Sequence, residues 1–260
     1  MRPLRLHTWG EPAATTVVCL HGVTSHGRHF ARLAERLVAR GPGKPGPYVV
    51  APDLLGHGDS PYEPPWSIDE HLASLGAATG EDTAALIGHS FGGRLAFELA
   101  ARRAVDRLVL LDPAILLDPG VALFAAENAR RERAYASFEE AIERRYEESQ
   151  LHRAPRELLK TELREHLAPS ADGLWRYRYC QAAVVAAYGE MASAPPAFEQ
   201  VRVPTLLVLG EQSYLPYDHL LPAHAAALGD LLQVVRVPGG HTVLWDAPEE
   251  TAEVVSAFLA

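Results

Sequence analysis

Short apolar runs punctuate the chain at intervals. Thr15 to Leu20 (TTVVCL), Tyr48 to Ala51, Ala84 to Ile87, Leu108 to Leu111, Thr205 to Leu209 and Leu232 to Val237 are each a few residues long and rich in branched side chains. Runs of that length predict strands, and Thr15 to Leu20 and Tyr48 to Ala51 read as buried ones. Leu4 to Trp9 instead alternates apolar and polar residues and predicts an edge strand. Between the runs the period changes. Phe30 to Arg40 sets Leu33, Leu37 and Val38 on one helical face, and Ser67-Ile68-Asp69-Glu70 is a capping box that opens a second helix. A third helix is predicted over Arg94 to Arg103, and a last one through Val254, Val255, Phe258 and Leu259. Gly41 to Pro47 (GPGKPGP) predicts a loop. Strands separated by helices predict an α/β fold with a mostly parallel central sheet flanked by helices.

The pattern changes after Asp112-Pro113. Residues from about 118 to 190 read as helical, with no convincing strand. Tyr135, Phe138, Ile142 and Tyr146 form a stripe at helical spacing, and Leu159, Leu163 and Leu167 form another after Pro155. Trp175 to Tyr188 is rich in aromatic residues. A helical insertion is therefore expected after the strand that ends near Leu111.

At 260 residues the chain suits one large domain or a domain with an insertion. Its net charge of −9 argues against a nucleic-acid partner, which favours basic faces. No apolar stretch is long enough to span a bilayer, so no membrane partner is expected. Met1 to Trp9 carries Arg2, Arg5 and His7 and lacks the apolar core of a signal peptide. Cys19 and Cys180 lie in apolar or aromatic surroundings and read as buried free thiols of a cytoplasmic protein. Neither C-x-x-C nor H-E-x-x-H occurs, so no metal site is expected.

Candidate chemistry centres on Gly88-His89-Ser90-Phe91-Gly92, a G-x-S-x-G motif with a predicted strand before it and a predicted helix after it. A serine on such a turn is pushed out at the top of the sheet, and the amide after it, that of Phe91, points at an oxyanion. A serine hydroxyl needs a base, usually a histidine oriented by a carboxylate. Of the 12 histidines, His241 in Pro238-Gly239-Gly240-His241 is the best placed, because it follows the last strand at the same sheet edge as Ser90.

Three pieces coincide with this one: His21-Gly22 after an early strand, Asp53-Leu54-Leu55-Gly56-His57-Gly58-Asp59-Ser60, and Gly-Gly-His near the C-terminus. Together they resemble the α/β-hydrolase fold family over nearly the whole chain. The resemblance implies a core of residues 1–113 and 200–260, with residues 114–199 as a helical cap. It also implies a second oxyanion amide from Val23, and structural roles for His21, His57 and His89. The third member of the triad departs from the family pattern. The Asp expected after strand 205–209 is replaced by Ser213, which cannot carry the negative charge. Asp112, at the end of the strand after the nucleophile strand, is the preferred acid, since some family members draw it from that place. Glu211, Asp218 and a serine–histidine pair without an acid are the alternatives. Asp246 reads as a helper of the last helix start.

The implied reaction is acyl transfer to water, with Ser90 as nucleophile, His241 as base and Asp112 as acid, and without metal or organic cofactor. The expected activity is that of a carboxylesterase on a small-molecule ester of small to medium acyl chain. A carbon–carbon bond hydrolase or lactonase of the same fold is the enzymatic alternative, and a ligand-binding receptor-like protein the non-enzymatic one. His26, Trp66, Trp175 and Tyr179 are the candidate pocket residues, Arg176 and Arg178 read as a solvated face, and the protein is expected to be a monomer or homodimer.

Overall fold

A computed structural model describes residues 2–12, 14–39, 46–79 and 83–260. Most of the loop expected at Gly41 to Pro47, residues 41–45, lies outside them. The first half of the chain runs β1 (Leu6–Trp9), β2 (Thr16–Leu20), α1 (Ala31–Val38), β3 (Tyr48–Pro52), α2 (Ile68–Thr79), β4 (Thr83–His89), α3 (Phe91–Arg102) and β5 (Arg107–Leu111). An excursion follows: α4 (Pro119–Ala129), β6 (Ala134–Tyr135), α5 (Phe138–Glu148), α6 (Arg156–His166), β7 (Leu167–Pro169), β8 (Trp175–Tyr177) and α7 (Gln181–Met191). The chain returns through β9 (Thr205–Gly210), α8 (Leu221–Leu228), β10 (Leu232–Val237), α9 (Val243–Asp246) and α10 (Pro248–Phe258).

Seven strands form the main sheet in the order β1-β3-β2-β4-β5-β9-β10. Only β1 is antiparallel, at the edge beside β3. The other strands are parallel. In β2, β3, β4, β5 and β9 both faces are buried, so successive side chains feed two separate cores, whereas β10 at the sheet edge is exposed at Gln233, Val234 and Arg236. On one side Val18, Leu20, Leu86, Leu108, Leu110 and Leu207 meet α2 and α3 through Leu72, Leu75, Leu95 and Leu99. On the other, Val17, Cys19, Ile87, Val109, Leu111 and Val208 meet α1 and α10 through Leu33, Leu37, Ala252 and Val255. That two-sided burial is why these strands read as unbroken apolar runs. Cys19 is buried within β2 while Cys180 is partly exposed, so the expectation of a buried thiol holds for one of the two free cysteines. No helix among the described residues is long and apolar enough to cross a membrane.

The excursion differs from its sequence reading. Residues 118 to 190 hold a small antiparallel sheet, β6-β8-β7, where no strand was expected. Strands of two or three residues complete no visible alternation, so they leave no periodic signal. Tyr135 accordingly sits in β6 and Leu167 in β7, each just outside the helix that its stripe predicted. Both still reach one cluster, with Ile142, Leu159, Leu163, Tyr177 and Trp245. At its two ends the excursion joins the main core through Leu117, Ala122, Ala187 and Met191. Arg94 of α3 reinforces the junction. Fully buried and paired with Glu98 at 2.9 Å, it donates to the carbonyls of Ile115, Ser193 and Ala194.

Candidate active site

Ser90 occupies the turn between β4 and α3 with φ 53° and ψ −119°, a conformation that L side chains rarely adopt. Surrounding hydrogen bonds over-determine it. The Ser90 amide donates to the Leu111 carbonyl, and the Ser90 carbonyl accepts from the amides of Gly93, Arg94 and Ala114. The flanking glycines are needed for close approach: a Cβ on Gly92 would fall 2.0 Å from the Leu20 carbonyl oxygen, and one on Gly88 would fall 2.2 Å from that of Gly92. The Phe91 amide opens α3, where the first N–H groups have no partner inside the helix.

His241 lies in the loop after β10, with its Nδ1 2.6 Å from Asp112 Oδ2. A carboxylate only accepts, so Nδ1 carries the proton and Nε2 remains the acceptor. Asp112 follows β5 at φ 41° and is 1% exposed. Its Oδ1 accepts the Gly210 amide at 2.9 Å, and its Oδ2 also accepts the Ser213 hydroxyl at 2.5 Å. The residue that replaces the expected Asp therefore supports a carboxylate on the neighbouring strand. Of the alternative acids, Glu211 is exposed and Asp218 pairs with Arg236.

A cavity of about 380 Å³ opens at the carboxyl ends of the strands. Ser90, His241 and Val23 line it, as do Leu117, Val121, Phe124, Arg133, Arg145 and Tyr188 from the excursion. Of the four residues named as pocket residues from sequence, only Tyr179 lines it. His26 is buried and stacks on His166 at 4.7 Å, because the loop after β2 turns it away under α6. Trp66 lies against the Gly56 turn, and Trp175 packs edge-on to Phe138 at 5.9 Å within the excursion's own cluster. Arg178 and Arg176, which do not line the cavity either, are ion-paired to Asp59 and to Glu132 and Asp172 respectively. Sequence reading missed Arg145, Tyr214 and Trp245. The one available signal was Trp245, four residues after His241.

Burial disfavours the charged form of the His21, His57, His89 and His166 imidazoles. Burial pushes the His21 pKa down to about 3, and its ring is satisfied as a neutral tautomer: Nδ1–H donates to the Gly22 carbonyl and Nε2 accepts the Leu54 amide. His57 and His166 are likewise pushed down to about 3 by burial, each donating to a backbone carbonyl. His89, lowered well below the ordinary value by burial, donates Nε2–H to the His241 carbonyl at 3.0 Å and so braces the loop that carries that residue. Asp246 braces it too. Its carboxylate accepts the Gly240 amide and the amides of His152, Arg153 and Ala154. It closes α9 and ties the excursion to the histidine loop, a different role from starting the last helix.

Residues 17–254 match the family model described as "Alpha/beta hydrolase family". The chain is similar to the lipase LipV of Mycobacterium tuberculosis, with 34% identity across 98% of this chain and 97% of the relative. It is 27% identical to the sn-1-specific diacylglycerol lipase ABHD11 of Mus musculus, across 96% of this chain and 83% of that protein. Among solved structures, E-2-(acetamidomethylene)succinate hydrolase superposes with a TM-score of 0.82 at 24% identity, covering 100% of this chain and 98% of the other.

Proposed function

Because the chain belongs to the alpha/beta hydrolase family, we propose that it is a serine hydrolase that cleaves carboxylic esters of small to medium acyl chain. The observation that carries the reading is the 2.6 Å contact between His241 Nδ1 and Asp112, at a cavity that Ser90 also lines. With Nδ1–H held by the carboxylate, His241 Nε2 takes the Ser90 proton as Oγ attacks the ester carbonyl. The amides of Phe91 and Val23 hold the oxyanion, and each contributes on the order of 3 kcal/mol. His241 then protonates the departing alkoxide and activates water against the acyl-enzyme, which releases the acid. The lipase names of the relatives support ester bonds as the target. Residues 114–199 act as the cap that covers this chemistry, and the apolar side chains of α4 that line the cavity fit an acyl chain.

The test is hydrolysis of p-nitrophenyl esters from acetate to dodecanoate by the protein and by Ser90→Ala. Turnover that vanishes in the variant is expected, and the optimal chain length sizes the pocket. Folded protein with no turnover on any ester overturns the ester reading.

A further inference from the structure

Arg145 of α5 lines the cavity, yet it is only 6% exposed. Its guanidinium is gripped between two rings, with Tyr177 and Trp245 5.2 and 5.1 Å from its central carbon. Cation–π contacts hold the charge but leave its N–H donors unused. Among the described residues no carboxylate lies within ion-pair distance of it, and its buried Nε has no acceptor. The Trp245 Nε1–H, on another cavity-lining residue, also lacks one.

The remaining charges do not neutralise Arg145. Glu148, the one acidic residue that lines the cavity, is engaged by the Tyr135 hydroxyl at 3.1 Å and by Arg133 at 3.7 Å. His89 at the cavity wall is held neutral by burial. The lining thus keeps one positive charge and unfilled donors in a place where an unpaired ion is costly. A planar carboxylate matches a guanidinium fork, and desolvated surroundings strengthen the pair. The wall that holds Arg145 and Ser90 also includes Leu117, Val121, Phe124 and Met191, apolar side chains that suit a methylene chain.

We propose that Arg145 anchors a free carboxylate of the substrate, so that the preferred ester is a half-ester of a linear dicarboxylic acid. The proposal rests on the ester reading above and deepens it. Water adds to the acyl carbon through the Ser90 acyl-enzyme, the alcohol leaves, and the product is the dicarboxylic acid, with no other reactant.

The test compares kcat/KM for monoethyl esters of dicarboxylic acids, succinate to suberate, with ethyl esters of monocarboxylic acids of matching length. The half-esters should win by on the order of tenfold or more, the scale of a hydrogen bond to a charged group. Arg145→Met should collapse that ratio towards one, and Arg145→Lys should keep part of it. A wild-type ratio of one or less overturns the proposal without any variant. A parallel calorimetric titration of Ser90→Ala protein with adipate separates the two readings. Adipate binding that Arg145→Met abolishes, alongside no turnover of any ester, supports the anchor and overturns the ester reading. No adipate binding, or tighter binding of inorganic phosphate, overturns the carboxylate anchor and leaves ester hydrolysis standing on its own assay.

Discussion

The Ser213 hydroxyl donates to Asp112 Oδ2 at 2.5 Å, on the same oxygen that accepts the His241 Nδ1–H at 2.6 Å. The Gly210 amide holds the other oxygen at 2.9 Å. Asp112 thus arrives from β5 with its carboxylate already oriented by β9 and the loop after it. Replacing it should be far more damaging than removing any one of its supports. Asp112→Asn is expected to lower kcat on p-nitrophenyl esters about 10⁴-fold, because the amide favours the wrong imidazole tautomer. Ser213→Ala should cost about fivefold, the scale of one hydrogen bond. Near-native kcat in Asp112→Asn, with a collapse in Glu211→Gln, would reverse the assignment of the acid.

Stability should fall as the pH drops below neutrality, before carboxylates begin to titrate. His21, His57, His71 and His166 are each pushed down to about 3 by burial, whereas an unfolded histidine titrates near about 6.5. Between those values the unfolded chain binds protons that the folded chain refuses. Their contribution is therefore complete above pH ~6.5 and is lost as the pH falls towards ~3. Urea denaturation at a series of pH values checks this, and a flat unfolding free energy from pH 7 to 4.5 would contradict the neutral cluster.

Asp246→Asn tests the brace of the histidine loop. One carboxylate accepts four backbone amides from two segments, and an amide cannot accept at both ends. Expected losses are about 1–3 kcal/mol of stability for the orphaned donors and roughly tenfold in kcat, with KM less affected. Unchanged kinetics at full stability would make the brace dispensable.

Glu98→Ala leaves Arg94 buried without its carboxylate. Breaking such a pair from one side costs about 3–5 kcal/mol, and chemical denaturation measures it. A change under about 1 kcal/mol would mean that the carbonyls of Ile115, Ser193 and Ala194 alone satisfy the guanidinium.

The sequence by itself determined the α/β architecture and the sheet edge where chemistry is expected. Strands such as Val17 to Leu20 are buried on both faces, and the alternation that supplies two cores is local and visible in the chain. The Ser90 turn was legible for a similar reason: the glycines at 88 and 92 answer clashes with Gly92 and with Leu20, and glycine at a strand–helix junction is a local signal. The excursion's small sheet was not legible, because Ala134–Tyr135 and Trp175–Tyr177 are too short to show a period. Only the tertiary structure decided which residues meet. Asp112 and His241 follow different strands, His26 and Trp175 turn away from the cavity, and Arg145 turns into it between Tyr177 and Trp245. Those outcomes depend on how helices pack over the strand ends, on contacts between residues distant in the chain, which no local pattern encodes.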